Sequence, residues 1–148
     1  MDEVGAFLDR VIPMLREDVM ALKNGDSGPR KALWSHDDPV TLFGAEASAR
    51  GWEEVEPIFD RLADSFSDGQ SCTYEVVGAG VSGDPAYVAA IERSVAGTLG
   101  SHPQTFTLWV TTIFRREQGE WKVGHRHGDP LDAASREALA HRRQQEAM

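Results

Sequence analysis

The stretch from Thr105 to Asp129 constrains the fold of this chain more than any other. It reads TFTLWVTTIFRREQGEWKVGHRHGD, and its first half is rich in Thr, Val, Ile, Phe and Trp. Those residue types suit a pleated, half-buried surface. The polar break Glu117-Gln118-Gly119-Glu120 separates this run from a second alternating one, so the pair reads as an antiparallel hairpin. Strand side chains alternate between faces. On that parity His125 and His127 share a face with Trp121 and Val123, while Lys122, Gly124 and Arg126 take the other. The apolar face that should meet a core therefore ends in two imidazoles.

The segments before the hairpin supply helices. Val4, Phe7, Leu8, Val11, Leu15, Val19 and Leu22 recur at three-four spacing, which predicts an amphipathic helix over Asp2–Lys23. Pro13 is expected to kink or split it, and Gly25 to end it. A short helix over Ser27–Trp34 follows, with Pro29 in its first turn. Val40–Phe43 reads as a short strand. Trp52, Val55, Phe59 and Leu62 place a third helix over Gly51–Phe66, interrupted or bent at Pro57. Ser67-Asp68-Gly69 reads as a turn. Strands are expected over Ser71–Val81, Ala86–Gly97, Thr105–Arg116 and Glu120–His127. Helices followed by a strand meander indicate an α+β fold, with helices packed on one face of a curved antiparallel sheet. Trp109, Thr111 and Ile113 keep the second sheet face apolar. That predicts a homodimer through the outer sheet face.

Length and charge narrow the function classes. At 148 residues the chain suits one compact domain. A net charge of −9 argues against nucleic acid or an anionic membrane as partner. The single Cys72 excludes an internal disulfide and a cysteine zinc cluster, and a packed thiol is expected there. No apolar run approaches membrane-spanning length and no leader pattern opens the chain, so a soluble, cytoplasmic protein is expected.

Four segments carry a resemblance: Trp34–Gly44 (WSHDDPVTLFG), Gly51-Trp52, Gly83–Tyr87 (GDPAY) and Phe114–His127 (FRREQGEWKVGHRH). In these the chain resembles the nuclear-transport-factor-2-like superfamily and, within it, the SnoaL-like branch. The last segment is also similar to the end of the association domain of calcium/calmodulin-dependent kinase II. The resemblance implies a cone-shaped curved antiparallel sheet wrapped around the N-terminal helices. Residues 1–130 would form a single SnoaL-like domain, and 131–148 a polar C-terminal tail or helix. The superfamily includes isomerases, dehydratases, cyclases, epoxide hydrolases and non-catalytic assembly domains, so fold does not fix activity.

The resemblance also implies an apolar pocket between helices and sheet. With strand parity, it places Trp34, Phe43, Phe59, Tyr87 and Trp121 near the pocket as ligand-binding residues, with His125 and His127 beside them. Histidine serves as general acid or base near neutral pH, and the same two residues would equally serve as hydrogen-bonded groups closing a sheet edge. His36, Asp37 and Asp38 form a second cluster, because a carboxylate beside an imidazole orients it and raises its basicity. The aspartates before Pro39 also suit a capping and turn role. Glu92 and Arg93 interrupt an apolar strand and must be solvated or paired. Glu92 turned inward beside a histidine would make a pH-active dyad. No cofactor is implied, and no metal is expected, since nothing makes His36, His125 and His127 converge. The expected function is binding of a small hydrophobic or polar-aromatic ligand. The alternative is a cofactor-independent lyase, isomerase or hydrolase with His125 or His127 as base, His36 with Asp37 or Asp38 as its partner acid, and Tyr87 as a donor.

Overall fold

The computed structural model describes residues 2–44, 47–98 and 101–147, with 141–147 described as backbone alone. Helix α1 spans Glu3–Leu22 and is capped by the Asp2 carboxylate, which accepts from the Val4 amide at 3.1 Å. Its stripe of Phe7, Val11, Leu15, Val19 and Leu22 is buried as the spacing predicts. Pro13 does not split it; the element is continuous. Helix α2 (Gly28–Leu33) carries Pro29 in its first turn. Strands β1 (Thr41–Phe43) and β2 (Ser48–Arg50) precede helix α3 (Trp52–Ser65), which also runs unbroken through its proline, Pro57. The long strands are β3 (Phe66–Val81), β4 (Pro85–Thr98), β5 (Gln104–Glu117) and β6 (Glu120–Pro130), and helix α4 (Ala133–Ala147) closes the chain.

The fold is α+β, a helix-lined cone on one curved sheet. The sheet has six strands in the order β2-β1-β6-β5-β4-β3 and is open at both edges. Two points correct the strand reading. The β1–β6 pair is parallel, so the sheet is mixed rather than purely antiparallel. Ser67-Asp68-Gly69 is not a turn before the sheet. The chain leaves α3 directly into β3 at Phe66, and the three residues form an irregularity within the strand, between the Ser67 and Ser71 pairings. Asp68 sits there in the left-handed region, at φ 53°.

The inner face of the sheet meets α1, α2 and α3 in two apolar clusters. The larger joins Phe7, Val11 and Leu15 to Val55, Phe59, Phe114 and Val123. The smaller joins Phe66, Ala96 and Phe106 to Ala138 and Leu139 of α4. The C-terminal segment is thus a docked helix, with the Ser135 hydroxyl oxygen accepting from the Thr107 amide at 2.8 Å. Burying Ala138 and Leu139 gives this largely polar helix an apolar contact to dock by.

One register shift decides what each face carries. On β5 and β6, Phe114 pairs with Val123, but the next residue back, Ile113, pairs with His125. Gly124 is therefore an extra residue, a β-bulge. A Cβ at Gly124 would meet an Arg115 terminal nitrogen at 3.2 Å, so the glycine makes room for that side chain. Beyond the bulge the parity inverts. Arg126 pairs with inward Thr112, while His127 pairs with outward Thr111.

Candidate functional site

The inversion turns Arg126 into the interior, 12% exposed, beneath the helices. Glu92, on the inward row of β4, is 2% exposed and accepts from Arg126 Nη1 at 3.0 Å and Nη2 at 3.4 Å. Tyr74 of β3, the cross-strand partner of Glu92, donates its hydroxyl to the same carboxylate at 2.5 Å. Burial pushes the Glu92 carboxyl up, but the Arg126 charge and the hydrogen bonds from Arg126 and Tyr74 outweigh it and hold it down at about 2. Burial, and then the Glu92 charge, push the Tyr74 hydroxyl well above its ordinary range. A second buried pair faces this one. Arg30 of α2 donates from Nε to Asp18 Oδ1 at 2.7 Å, with both side chains 5% exposed. Here burial dominates and raises the Asp18 carboxyl despite the Arg30 charge.

A cavity of about 310 Å³ lies between the helices and the sheet. Glu92, Arg126 and Arg30 contribute its polar wall, and Lys23 and Arg61 add two further cations. Val19, Leu22, Leu42, Ile58, Leu62 and Leu108 make the wall mainly apolar. Phe66 and Leu139 bring the smaller core cluster to it, so the space lies between the two clusters. A mainly apolar cavity with a few buried polar groups is the ordinary form of a small-ligand site.

The residues singled out from the sequence fall in three places. Glu92 is at the cavity, but its partner is Arg126 and not a histidine. Trp34 and Phe59 are core, 5.0 Å apart edge to face. Trp121 packs on Phe7 at 5.0 Å, away from the cavity. Phe43, Tyr87, His125 and His127 lie on the outer face. There Phe43 meets both imidazoles edge-on, at 5.1 and 5.6 Å. His125 Nδ1 is 2.6 Å from Thr41 Oγ1, and His127 Nε2 is 3.3 Å from Asp129 Oδ2. The expectation that the paired histidines share the inner face with Val123 is corrected by the Gly124 bulge. Tyr87 pairs with outward Ile113 and lies against Gly80.

His36 and Asp38 sit in the exposed loop after α2. His36 stacks on Trp52 at 4.1 Å and its Nε2 is 2.7 Å from the Lys31 carbonyl. Asp38 Oδ1 accepts from the Trp52 amide at 2.9 Å, at the start of α3. The Arg115 guanidinium clasps this loop. It donates to the Pro39 carbonyl at 2.6 Å, to Ser35 Oγ at 2.7 Å and to the Asp37 carbonyl. Among the described residues no group of three His, Cys, Asp or Glu gathers in a metal-binding arrangement. Burial pushes the Cys72 thiol up to about 12, which leaves it unreactive.

Asp18, Arg30, Tyr74 and Arg126 are the polar residues that sequence reasoning did not select. Asp18 carried a signal, since it falls three residues after Leu15 within the apolar stripe of α1. Gly124 carried another, because a glycine inside a strand marks bulges.

A family model described as a SnoaL-like domain matches residues 15–131, so the chain belongs to the SnoaL-like domain family. A comparison with curated proteins finds no match. Among solved structures, a nuclear transport factor 2-like superfamily protein from Salmonella enterica is similar, at TM-score 0.68 and 14% identity. That alignment covers 87% of this chain and 94% of the other. A candidate dehydratase of the NTF2-like family from Streptomyces avermitilis aligns at TM-score 0.67 and 20% identity, over 87% and 99% of the two chains. The association domain of CaMKII from C. elegans aligns at TM-score 0.64 and 16% identity, again over 87% and 99%. At these identities the likeness concerns the fold.

Proposed function

We propose that this member of the SnoaL-like domain family is a small-molecule-binding protein whose ligand occupies the cavity between the helices and the sheet. The observation that carries the reading is the Glu92–Arg126 pair at the cavity wall, buried and joined by two hydrogen bonds amid apolar residues. Burying two charges is expensive unless geometry and hydrogen bonds compensate. A fixed, charged anchor in an apolar cavity orients a ligand, as binding sites of this size commonly do.

Binding is favoured over the lyase, isomerase or hydrolase alternative by the state of the ionisable groups. A carboxyl held at about 2 is a weak general base. Among the described residues no histidine lines the cavity. Gly128 provides the test. It lies on the cavity wall in the inward row of β6, and a Cβ there would meet Arg126 and Leu108 only at 3.8 Å. Gly128→Leu should fill the space without removing any group. Wild-type protein should enhance Nile red fluorescence, and the variant should not. A wild type that leaves the dye dark, or a variant that brightens it equally, refutes the reading.

A second reading concerns the outer face and is independent of the first. Phe43, Tyr87, Trp109 and Ile113 are each 41–49% exposed there. Cross-strand pairing makes them one continuous patch with His125, His127 and Thr111. A patch of this kind supports a homodimer through the outer sheet face.

A further inference from the structure

The two buried guanidinium groups at the cavity, Arg126 and Arg30, differ in one respect. Arg126 spends both terminal nitrogens on the two oxygens of Glu92. Arg30 spends only Nε, on Asp18. A guanidinium carries five N–H donors in a planar fork, so the four on the Arg30 terminal nitrogens have no hydrogen-bond acceptor among the described residues, the group's other contact being the Phe59 ring at 5.4 Å. The side chain is nonetheless 5% exposed. Its terminal nitrogens are not sealed in the protein, since the sealed, unsatisfied side-chain atoms among the described residues are Ser94 Oγ and Gln104 Oε1. Arg30 lines the cavity, so the cavity is the space from which an acceptor can reach these terminal nitrogens. A buried guanidinium with an open fork calls for an acceptor.

We infer that the ligand carries one carboxylate on an apolar body, and that Arg30, seated on Asp18, receives it. The inference rests on the cavity being a binding site. The open fork matches the two oxygens of a carboxylate. Glu92 is the one carboxylate on the described cavity wall, and it is already bound to Arg126. Arg61 at the exposed margin adds positive potential, against a net charge of −9 for the chain. Apart from these charged groups and Phe66, the wall is made largely by Val19, Leu22, Leu42, Ile58, Leu62 and Leu108, which fits a hydrocarbon body. Of the other cations, Arg126 is held by Glu92, Lys23 lies over the Phe66 ring at 3.5 Å and Arg61 sits at the exposed margin, so a single charge at the Arg30 fork is a better match than a phosphate dianion. The volume of about 310 Å³ is at the small end of ligand sites.

Calorimetric titration with octanoate, octanamide and octyl phosphate tests this. Wild-type protein should bind octanoate at least about tenfold more tightly than octanamide, as charge-assisted hydrogen bonds require, and more tightly than octyl phosphate. Arg30→Lys keeps a cation beside Asp18 but loses the planar fork, and should shrink the acid preference to under about threefold. Asp18→Asn combined with Arg30→Met leaves no buried unpaired charge. If folded by circular dichroism, it should bind acid and amide alike. Equal binding of octanoate and octanamide by wild type would overturn the inference while leaving the cavity a binding site. So would tighter binding of octyl phosphate, or failure of all three to displace bound Nile red. Failure of Nile red itself to bind would remove the underlying reading as well.

Discussion

Replacing Arg126 with methionine isolates the buried pair that anchors the cavity. Glu92 is 2% exposed, and its remaining partner would be the Tyr74 hydroxyl. Breaking one side of a buried, hydrogen-bonded ion pair costs roughly 3–5 kcal/mol, because the other charge stays desolvated. For a chain of this length that corresponds to a fall in Tm of about 10–15 °C. The double variant Glu92→Gln, Arg126→Met removes the stranded charge and should recover more than half of the loss. The pH dependence gives an independent reading. In the wild type Glu92 is held at about 2, below its ordinary 4.5. Its stabilisation is complete above the ordinary value and is lost as pH falls toward 2. Without Arg126, burial, the largest influence, is opposed by the Tyr74 hydrogen bond and the Arg30 charge and raises the carboxyl above 4.5, so its contribution worsens as pH rises through the raised value. Urea melts should therefore show a stability gap between wild type and Arg126→Met that is larger at neutral pH than at about pH 5. A loss under about 1 kcal/mol, or a gap independent of pH, would mean that Glu92 is solvated and that the argument for a dry, charged anchor is mistaken.

Other expectations follow from the outer face and the loop. Trp109→Asp with Ile113→Asp should leave a folded monomer in sedimentation at concentrations where the wild type is a dimer; a wild-type monomer would refute the dimer. His125 is pushed below its ordinary 6.5 by burial first and by His127 second. Its contribution is therefore intact above that value and lost as pH falls beneath it, and His125→Asn should flatten the dependence of Tm on pH between about 5 and 8. Arg115→Ala releases the Ser35–Pro39 loop and should cost about 2 kcal/mol. Faster amide exchange at Asp37, whose N–H now donates to Ser35 Oγ at 3.1 Å, would report the release.

The fold was largely visible in the chain because its long elements are strongly periodic. The α1 stripe from Phe7 to Leu22 and the alternation of Thr105–Arg116 each point to one structure and one buried face. The site was less visible for a specific reason. Simple parity along β6 fails at Gly124, where one extra residue exchanges the two faces. Everything before the bulge, Trp121 and Val123, was placed on the inward side, where Val123 is buried. Everything after it was inverted, so His125 and His127 took the place that belongs to Arg126. Glu92 is legible because a charge inside an apolar strand must have a partner, and the same inversion hides which partner that is. Strand β2 is three residues long and carries too little pattern to be read. Arg30 belongs to a six-residue helix whose buried face cannot be told from its exposed one by spacing alone.

Strand β6 is a party wall. Alternate residues along it furnish the hollow on one side, through Arg126 and Gly128, and the outdoor surface on the other, through His125 and His127. The two sides share a single backbone, one peptide thick. A neighbour leaning on the imidazoles therefore leans on the mounting of the guanidinium behind them, and whatever fills the hollow sets the stiffness of the surface a neighbour would meet.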